Sequence, residues 1–122
     1  MKARLHHLQI NVREASRALP FYRALFGYLE YGTVYDTDAM AGFSGRGTDI
    51  WVGAAAPEHT GPGLHRKRAG LNHPAFRVDR REDVDRFRDE FMAPRKLAPL
   101  YGTPREFPEY RPSMADSLVC QS

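Results

Sequence analysis

The feature that most constrains the fold of this chain is an internal repeat. The segment LHHLQINVRE at residues 5–14 returns as LNHPAFRVDR at residues 71–80, and an offset of 66 positions (73 minus 7) brings His7 onto His73 without a gap. A repeat dictates architecture because each copy is one structural unit used again. The further matches under this offset are Leu5 with Leu71, Ile10 with Phe76, Val12 with Val78, Phe21 with Phe87, Leu25 with Phe91 and Tyr35 with Tyr101. The sequence therefore predicts two related modules.

The size of the chain limits how these modules are organised. With 122 residues, 42% hydrophobic and 27% charged, the chain has the length and composition of one ordinary globular domain. We predict a single domain over residues 1–122, with module one at about 4–56, a Gly/Pro-rich linker at about 57–69 and module two at about 70–122.

Each copy of the repeat begins with a strand pattern. In residues 5–12 apolar and polar side chains alternate with period two, which predicts one core-facing and one polar face. The polar face of the first copy carries His7, Gln9 and Asn11. The same alternation in residues 71–78 gives a polar face with His73, Ala75 and Arg77. His7 and His73 are therefore expected at equivalent places on equivalent faces.

A helix is predicted after each strand. The first is capped by Ser16, tolerates Pro20 in its first turn and ends at Gly27, with a buried stripe of Ala18, Phe21, Tyr22, Leu25 and Phe26. The second begins with a capping box of Asp79 and Glu82 and ends at Ala93-Pro94, with a stripe of Val84, Phe87, Phe91 and Met92. Both helices are expected to cover the apolar faces of the strands.

Further strands complete the first module. Strand patterns separated by turn residues occupy residues 29–35, 39–45 and 48–55, which gives the order strand, helix, strand, strand, strand. The second module continues with a strand at 97–102, a Pro-rich loop at 103–112 and a strand at 113–120. By the logic of the repeat we expect this module to lack its last strand. The pattern predicts the α+β class.

Two stretches resemble a known family. LHHLQINV followed by FYRALFGY resembles the opening of the vicinal oxygen chelate superfamily, which includes glyoxalase I, extradiol dioxygenases and the bleomycin resistance proteins, and GLNHPAFRVDRREDVDRF resembles the opening of its second module. The likeness covers about residues 5–112. It implies a glyoxalase-like domain of two βαβββ modules whose mixed sheets curl into a cup, often with a divalent metal in the cup and often as a dimer.

The resemblance also implies candidate metal ligands. The family uses a histidine on the first strand of each module and a glutamate on the last strand of each. His7 matches the first position and His73 the third, whereas Trp51 stands where the second position holds a glutamate. Asp49, two residues away on the same strand face, is the predicted substitute, and the fourth position has no counterpart. The metal site implied for Zn, Ni, Fe(II) or Mn is therefore incomplete.

Other readings of these residues remain open. A lone strand histidine is more often a hydrogen-bonded structural imidazole than a ligand. Trp51, Phe43 and Tyr35 either line the cup or belong to the core. Arg77 either holds an anionic substrate group or forms an ion pair with Asp49 or Glu106. The predicted substrate contacts are Gln9, Asn11, Trp51 and Arg77, and no functional role is expected for His6, His59 or His65.

Composition limits the classes of binding partner that we expect. The arginine-rich segments at 65–68 and 79–83 lie among acids without a nucleic-acid-binding pattern, so no nucleic acid is expected. No apolar run approaches the roughly 20 residues that cross a bilayer, and the single Cys120 excludes an internal disulfide, so we expect no membrane contact and a cytoplasmic location. An exposed sheet edge in the incomplete second module favours a homodimer.

Three functions follow from these observations. The first is a metal-dependent lyase, isomerase or dioxygenase acting on a small molecule. The second is a metal-free ligand-binding protein of bleomycin-resistance type. The third is an inactive, truncated member of the family, which the divergence after Pro112 suggests.

Overall fold

The computed structural model describes residues 1–61, 65, 67–98 and 117–119. The chain divides into two compact units, Met1–Leu64 and His65–Ser122, and the boundary lies inside the predicted linker. That both units form one glyoxalase-like domain with the predicted module boundaries stays a prediction. Most of the predicted strand at 97–102, the Pro-rich loop at 103–112 and Cys120 lie outside the described residues. In the described part of the chain, no helix is long and apolar enough to span a membrane.

The first unit has the predicted order of elements. Its helix and strands are β1 (His7–Val12), α1 (Ala15–Tyr28), β2 (Gly32–Asp36), β3 (Met40–Ser44) and β4 (Asp49–Ala54), followed by a short 3-10 turn at Pro57–His59. The prediction of strand, helix, strand, strand, strand is therefore confirmed for this unit.

The strands of the first unit form one mixed sheet. Its order is β1-β4-β3-β2, with β1 parallel to β4 and the other neighbours antiparallel. Because the parallel pair needs a crossover connection, α1 and the two later strands lie between β1 and β4 in the sequence. The mixed sheet and its helix confirm the predicted α+β class.

One face of this sheet, here named the covered face, packs against α1. The helix contacts β2, β3 and β4. The rings of Phe26 and Phe43 stack with centroids 4.8 Å apart, which joins helix and sheet at the centre of the core. The buried residues of this core are Ile10, Val12, Leu19, Tyr22, Leu25, Phe26, Ala41, Phe43, Ile50 and Val52.

The predicted details of α1 need correction. Glu14 occupies the N-cap position, so Ser16 lies within the first turn and does not cap the helix, which runs one residue past Gly27 to Tyr28. Pro20 is therefore inside the helix, where it leaves the carbonyl of Ser16 without its usual donor; Ser16 is exposed, so water can replace it. Leu19 is buried, whereas the predicted stripe members Ala18 and Phe21 are half-buried.

The second unit contains shorter elements. Its described elements are β5 (Ala75–Arg77), α2 (Arg81–Phe87), a π-helical turn at Arg88–Met92, a 3-10 turn at Ala93–Arg95 and β6 (Ser117–Val119), which pairs antiparallel with β5. The predicted strand at 71–78 is thus reduced to three residues. Pro74 has no N–H group to donate to a ladder, which explains why the strand starts just after it.

The start of α2 lies one residue later than predicted. The backbone N–H of Arg80 donates to the Asp83 carboxylate at 3.2 Å, and the N–H of Asp83 donates to the Arg80 carbonyl at 3.0 Å. The expected box of Asp79 and Glu82 is therefore wrong. The predicted apolar stripe is confirmed at its centre, where Phe87 and Phe91 are buried and stacked 5.1 Å apart.

Candidate ligand-binding face

The face of the first sheet opposite α1 carries the predicted site residues of this unit. Alternate residues of a strand point to opposite faces, and register partners point to the same face. The strand registers therefore assign eleven residues to this side, here named the open face. They are His7, Gln9 and Asn11 of β1, Gly32 and Tyr35 of β2, Met40, Gly42 and Ser44 of β3, and Asp49, Trp51 and Gly53 of β4.

The first row of the open face joins two groups of metal-ligating type. His7 is the register partner of Asp49 across the parallel pair, and His7 is exposed while Asp49 is half-buried. The Nδ1 atom of His7 lies 3.0 Å from the Nδ1 atom of His6, an exposed residue just before β1. His6 thus lies at a strand end.

The central row crosses all four strands. Gln9 pairs with Trp51, Trp51 pairs with Gly42, and Gly42 pairs with Tyr35. A Cβ atom at Gly42 would lie 2.7, 2.8 and 2.9 Å from the Cζ3, Cε3 and Cη2 atoms of Trp51. The six-membered ring of the indole therefore rests directly on the backbone of β3, in space that any other residue at position 42 would fill.

Tyr35 extends this aromatic surface. Its ring centroid lies 5.7 Å from that of Trp51, with the planes inclined by 45°, and 47% of the residue is exposed. The separation is within the 4.5–7 Å range of favourable aromatic pairs. Trp51 and Tyr35 therefore form a continuous, angled aromatic surface on the open face.

The third row repeats the glycine arrangement. Gly53 pairs with both Asn11 and Met40, and a Cβ atom there would lie 2.9 Å from Met40 Cε and 3.5 Å from Gln9 Nε2. The Gln9 amide nitrogen donates to Asn11 Oδ1 at 3.0 Å. The two exposed amides therefore form one polar border beside the aromatic surface of Trp51 and Tyr35, which is here named the floor of the open face.

These positions settle one alternative that the sequence left open. Phe43 belongs to the core and is 1% exposed, whereas Trp51 and Tyr35 lie on the open face. Met40, Gly42 and Gly53 are not among the site residues predicted from the sequence. The alternation of AMAGFSG at residues 39–45 would have placed Met40 and Gly42 beside Trp51, but it gives no sign that a side chain from the next strand occupies the space above the glycine.

The second unit contains two of the predicted site residues, His73 and Arg77. His73 is exposed and precedes β5, and its Nδ1 atom lies 2.6 Å from Asn72 Oδ1. Arg77 is exposed at the end of β5. Glu106, one of its two proposed partners, lies outside the described residues. The roles of His73 as a ligand and of Arg77 as an anion contact stay predictions.

The described residues do not provide a complete metal site within either unit. Neither unit contains a group of three His, Cys, Asp or Glu side chains placed to hold a metal ion, as far as the chain is described. In the first unit His7 and Asp49 supply two potential ligands, and the indole of Trp51 has an N–H donor but no lone pair for a metal. The linker histidines, His59 and His65, are exposed.

Comparisons with known proteins identify the family. The sequence pattern of the Glyoxalase/Bleomycin resistance protein/Dioxygenase superfamily matches residues 4–94. The crystal structure of a candidate glyoxalase from Bacillus halodurans, solved at 2.10 Å, superposes with a TM-score of 0.75 at 30% sequence identity, over 82% of this chain and 74% of that one. Among curated proteins, none matches the chain. The family match over most of the sequence, together with the structural likeness, shows that this chain belongs to the Glyoxalase/Bleomycin resistance protein/Dioxygenase superfamily.

Proposed function

We propose that the chain binds a small organic molecule on the open face of its first sheet, without a metal ion, in the manner of the ligand-binding members of the superfamily. The observation that carries this proposal is the side chain of Trp51. It stands at the position where the family resemblance implies a metal-binding glutamate. Its six-membered ring lies over Gly42 and so presents an aromatic surface on the open face. An aromatic floor with a few polar groups at its border is the usual composition of a small-molecule site.

The polar border, formed by the amides of Gln9 and Asn11, would orient a ligand on the open face. A carboxamide has one acceptor oxygen and two N–H donors, and Gln9 uses one donor on Asn11. The pair therefore retains both donors and acceptors for a ligand that rests on Trp51. Both amides are exposed, so their reorientation toward a ligand costs little packing.

The covered face supports this site mechanically. Val52 and Phe43, which flank Trp51 and Gly42 along their strands, are fully buried under α1. Close-packed cores resist deformation. The positions of Trp51 and Gly42 are thus fixed by packing on the opposite side of the sheet, which is the form of preorganisation that a binding site needs.

A panel of small molecules tests the proposal. Wild-type protein is scanned by thermal unfolding in the presence of EDTA, and hits are repeated with Gln9→Ala and with Glu58→Ala, a variant in the exposed 3-10 turn that serves as the control. A ligand at about a hundred times its dissociation constant adds roughly 2.7 kcal/mol of stability. We expect hits whose shift is reduced by Gln9→Ala and retained by Glu58→Ala. If no compound shifts the melting temperature in EDTA and shifts appear only after metal is added, the metal-free function is wrong.

A second function is favoured by the pairing of His7 with Asp49. These side chains are neighbours on the open face and supply one histidine and one carboxylate of the two-histidine, one-carboxylate set that suits Fe(II) and also accepts Zn, Ni or Mn. The second histidine predicted from the sequence, His73, belongs to the other unit and stays a prediction. Such an ion would bind and polarise oxygen atoms of a substrate in lyase, isomerase or dioxygenase chemistry. In this alternative the residues of the open face would orient the substrate.

Titration with each of these ions separates the two functions. The metal-dependent alternative predicts a rise in melting temperature that disappears in His7→Ala and in Asp49→Asn but persists in His59→Ala, which removes an exposed imidazole elsewhere. The metal-free proposal predicts the same small response in all four proteins. Homodimer formation, a cytoplasmic location and the absence of nucleic-acid partners stay predictions, and light scattering of the purified chain measures the first.

A further inference from the structure

We propose that the ligand carries a planar, neutral or cationic heteroaromatic ring that stacks on the indole of Trp51, and that Gly42 is the residue that makes this stacking possible. The inference rests on the proposed function of the open face and names the chemical class of its ligand. It is carried by the geometry of the central row and by the charges of the open face.

The contact of Trp51 with Gly42 sets the height of the floor. Three consecutive carbons of the six-membered ring, Cε3, Cζ3 and Cη2, lie at nearly equal distances of 2.8, 2.7 and 2.9 Å from the Cβ position of Gly42. The ring therefore lies across the glycine instead of standing upright on the sheet. Trp51 is half-buried in this position, so part of its surface stays accessible to a ligand.

The second aromatic residue makes the surface selective for flat molecules. Tyr35 meets Trp51 at 45°, which forms a shallow angle between two rings. A planar ring on Trp51 would touch Tyr35 as well and gain contact with both faces of this angle. A saturated ring of the same size is thicker and has no π-face, so it would gain less from either residue.

The charges of the open face favour neutral or cationic ligands. Among the eleven residues of this face there is one carboxylate, Asp49, and there is neither lysine nor arginine. Asp49 lies two residues before Trp51 on the same face of β4, so a cationic ring on the indole would be near a negative charge. A cation over an indole face is also stabilised by the ring quadrupole. An anionic ring would meet a carboxylate and no lysine or arginine on this face of the strands.

The polar border favours a ring that has hydrogen-bonding atoms at one edge. Gln9 is the register partner of Trp51, and its amide nitrogen lies near the Cβ position of Gly53. A ring that stacks on Trp51 therefore has the Gln9–Asn11 amide pair at one edge. Ring nitrogen or oxygen atoms would find donors and acceptors there, whereas a pure hydrocarbon would leave these groups unpaired.

Because Trp51 is the one tryptophan of the chain, its fluorescence reports directly on this surface. The probes are N-methylquinolinium as the cationic planar ring, quinoxaline as the neutral one, 2-naphthoate as the anionic one and decahydroquinoxaline as the saturated control. Wild-type protein is titrated with each probe by calorimetry and by quenching. We expect the two planar non-anionic probes to bind at least tenfold more tightly than 2-naphthoate and the saturated control.

Matched variants locate the binding. Trp51→Leu is expected to weaken the planar probes at least tenfold in calorimetry, and Trp51→Phe, which keeps a ring, less than fivefold. Gly42→Ala is expected to shift the Trp51 emission and weaken binding, whereas Gly32→Ala, where a Cβ atom would have an ordinary 3.7 Å contact, is expected to change neither. Circular dichroism checks that each variant is folded, and Trp51→Phe keeps the test decisive if Gly42→Ala is not.

The outcomes separate this inference from the function on which it depends. Equal binding of the saturated and planar probes, or tighter binding of 2-naphthoate, overturns the ring class while open-face binding stands. Planar probes that bind equally to wild type and Trp51→Leu overturn the stacking on Trp51. If neither these probes nor any compound of the thermal panel binds, the proposed function itself fails.

Discussion

The two faces of the first sheet use the same four strands in opposite ways. On the covered face the side chains are large, apolar and buried, and Phe43 stacks on Phe26 of α1. On the open face two glycines lie beneath Trp51 and Met40, and the amides of the border are exposed. Side chains of α1 fill the space beside the covered face, whereas within this unit the angled aromatic surface of Trp51 and Tyr35 stays partly accessible.

Because of this difference, we expect the covered face to determine the stability of the unit and the open face to determine ligand binding. Burial of apolar surface is the main favourable term in folding, and the covered face contains nearly all of it in this unit. The open face contributes shape and hydrogen-bonding groups at modest cost in stability. Substitutions on the covered face are therefore expected to lower the free energy of unfolding more than substitutions on the open face.

The largest effect is expected at the centre of the covered face. Phe43→Ala removes a side chain that is 1% exposed and leaves a cavity beside Phe26, so the free energy of unfolding should fall by about 3–5 kcal/mol. Trp51→Ala, a comparable truncation on the open face, should cost less than half as much because Trp51 is half-buried. Urea denaturation measures both, and equal losses would remove the distinction between the faces.

A smaller loss is expected from filling the glycine space of the open face. Gly42→Ala forces the Trp51 ring away from the strand, and overpacking of this kind costs about 1–3 kcal/mol. Gly32→Ala, in the edge strand β2, should change the free energy of unfolding by less than about 0.5 kcal/mol. The comparison is made by denaturation while the emission maximum of Trp51 is recorded. A stabilised Gly42→Ala protein with unchanged emission would show that the indole does not rest on this glycine.

An ion pair at the edge of the covered face, here named its rim, should contribute still less to the free energy of unfolding. Arg23 of α1 donates from Nε to Asp36 of β2 at 2.9 Å, and both side chains are partly exposed at 35% and 50%. Exposed pairs of this type contribute about 0.2–1 kcal/mol. Asp36→Asn should lower the free energy of unfolding within that range and lose the effect in high salt, while Asp38→Asn serves as the neighbouring control. A loss of several kcal/mol would mean that the rim, and not the apolar core, holds α1 on the sheet.

The smallest effect concerns the pH dependence at the end of α1. Burial raises the pKa of the Tyr31 phenol above 10.0, with a smaller opposing influence of Arg46. A raised pKa in the folded state means that the related stability is fully present below pH 10 and is lost as the pH rises through the folded value. Tyr31→Phe should therefore show a shallower decline of the melting temperature above pH 10 than wild type. Identical slopes would show that Tyr31 is equally solvated in the folded and unfolded chain.

The sequence predicted the first unit well because its signals are local. Period-two alternation placed Gln9 and Asn11 on an exposed face and Ile10 and Val12 in the core, and the order of elements followed from turns and apolar runs. The errors lie where one residue shifts a boundary. Glu14 rather than Ser16 starts α1, because an N-cap is defined by backbone geometry that residue type predicts only on average.

The arrangement of Trp51 on the open face could not be predicted from the sequence, for a different reason. How the indole of Trp51 lies on the open face depends on Gly42, its register partner on the neighbouring strand. Such cross-strand fits become visible only when the register is known. The second unit is predicted less well, since Pro74 shortens β5 and the apolar stripe alone survives in α2. For His73 and Arg77 the sequence gives an expectation that remains to be tested.

The most direct test of the central claim, that the open face binds its ligand through Trp51 in place of a metal, is a nickel titration of wild type beside Trp51→Glu. The variant restores the carboxylate that the family resemblance implies at this position, next to the pair of His7 and Asp49. We predict that Ni²⁺ changes the melting temperature of wild type no more than that of His7→Ala, that it raises the melting temperature of Trp51→Glu well above both, and that this rise disappears when His7→Ala is added. A metal-dependent rise in wild type that His7→Ala abolishes would contradict the claim.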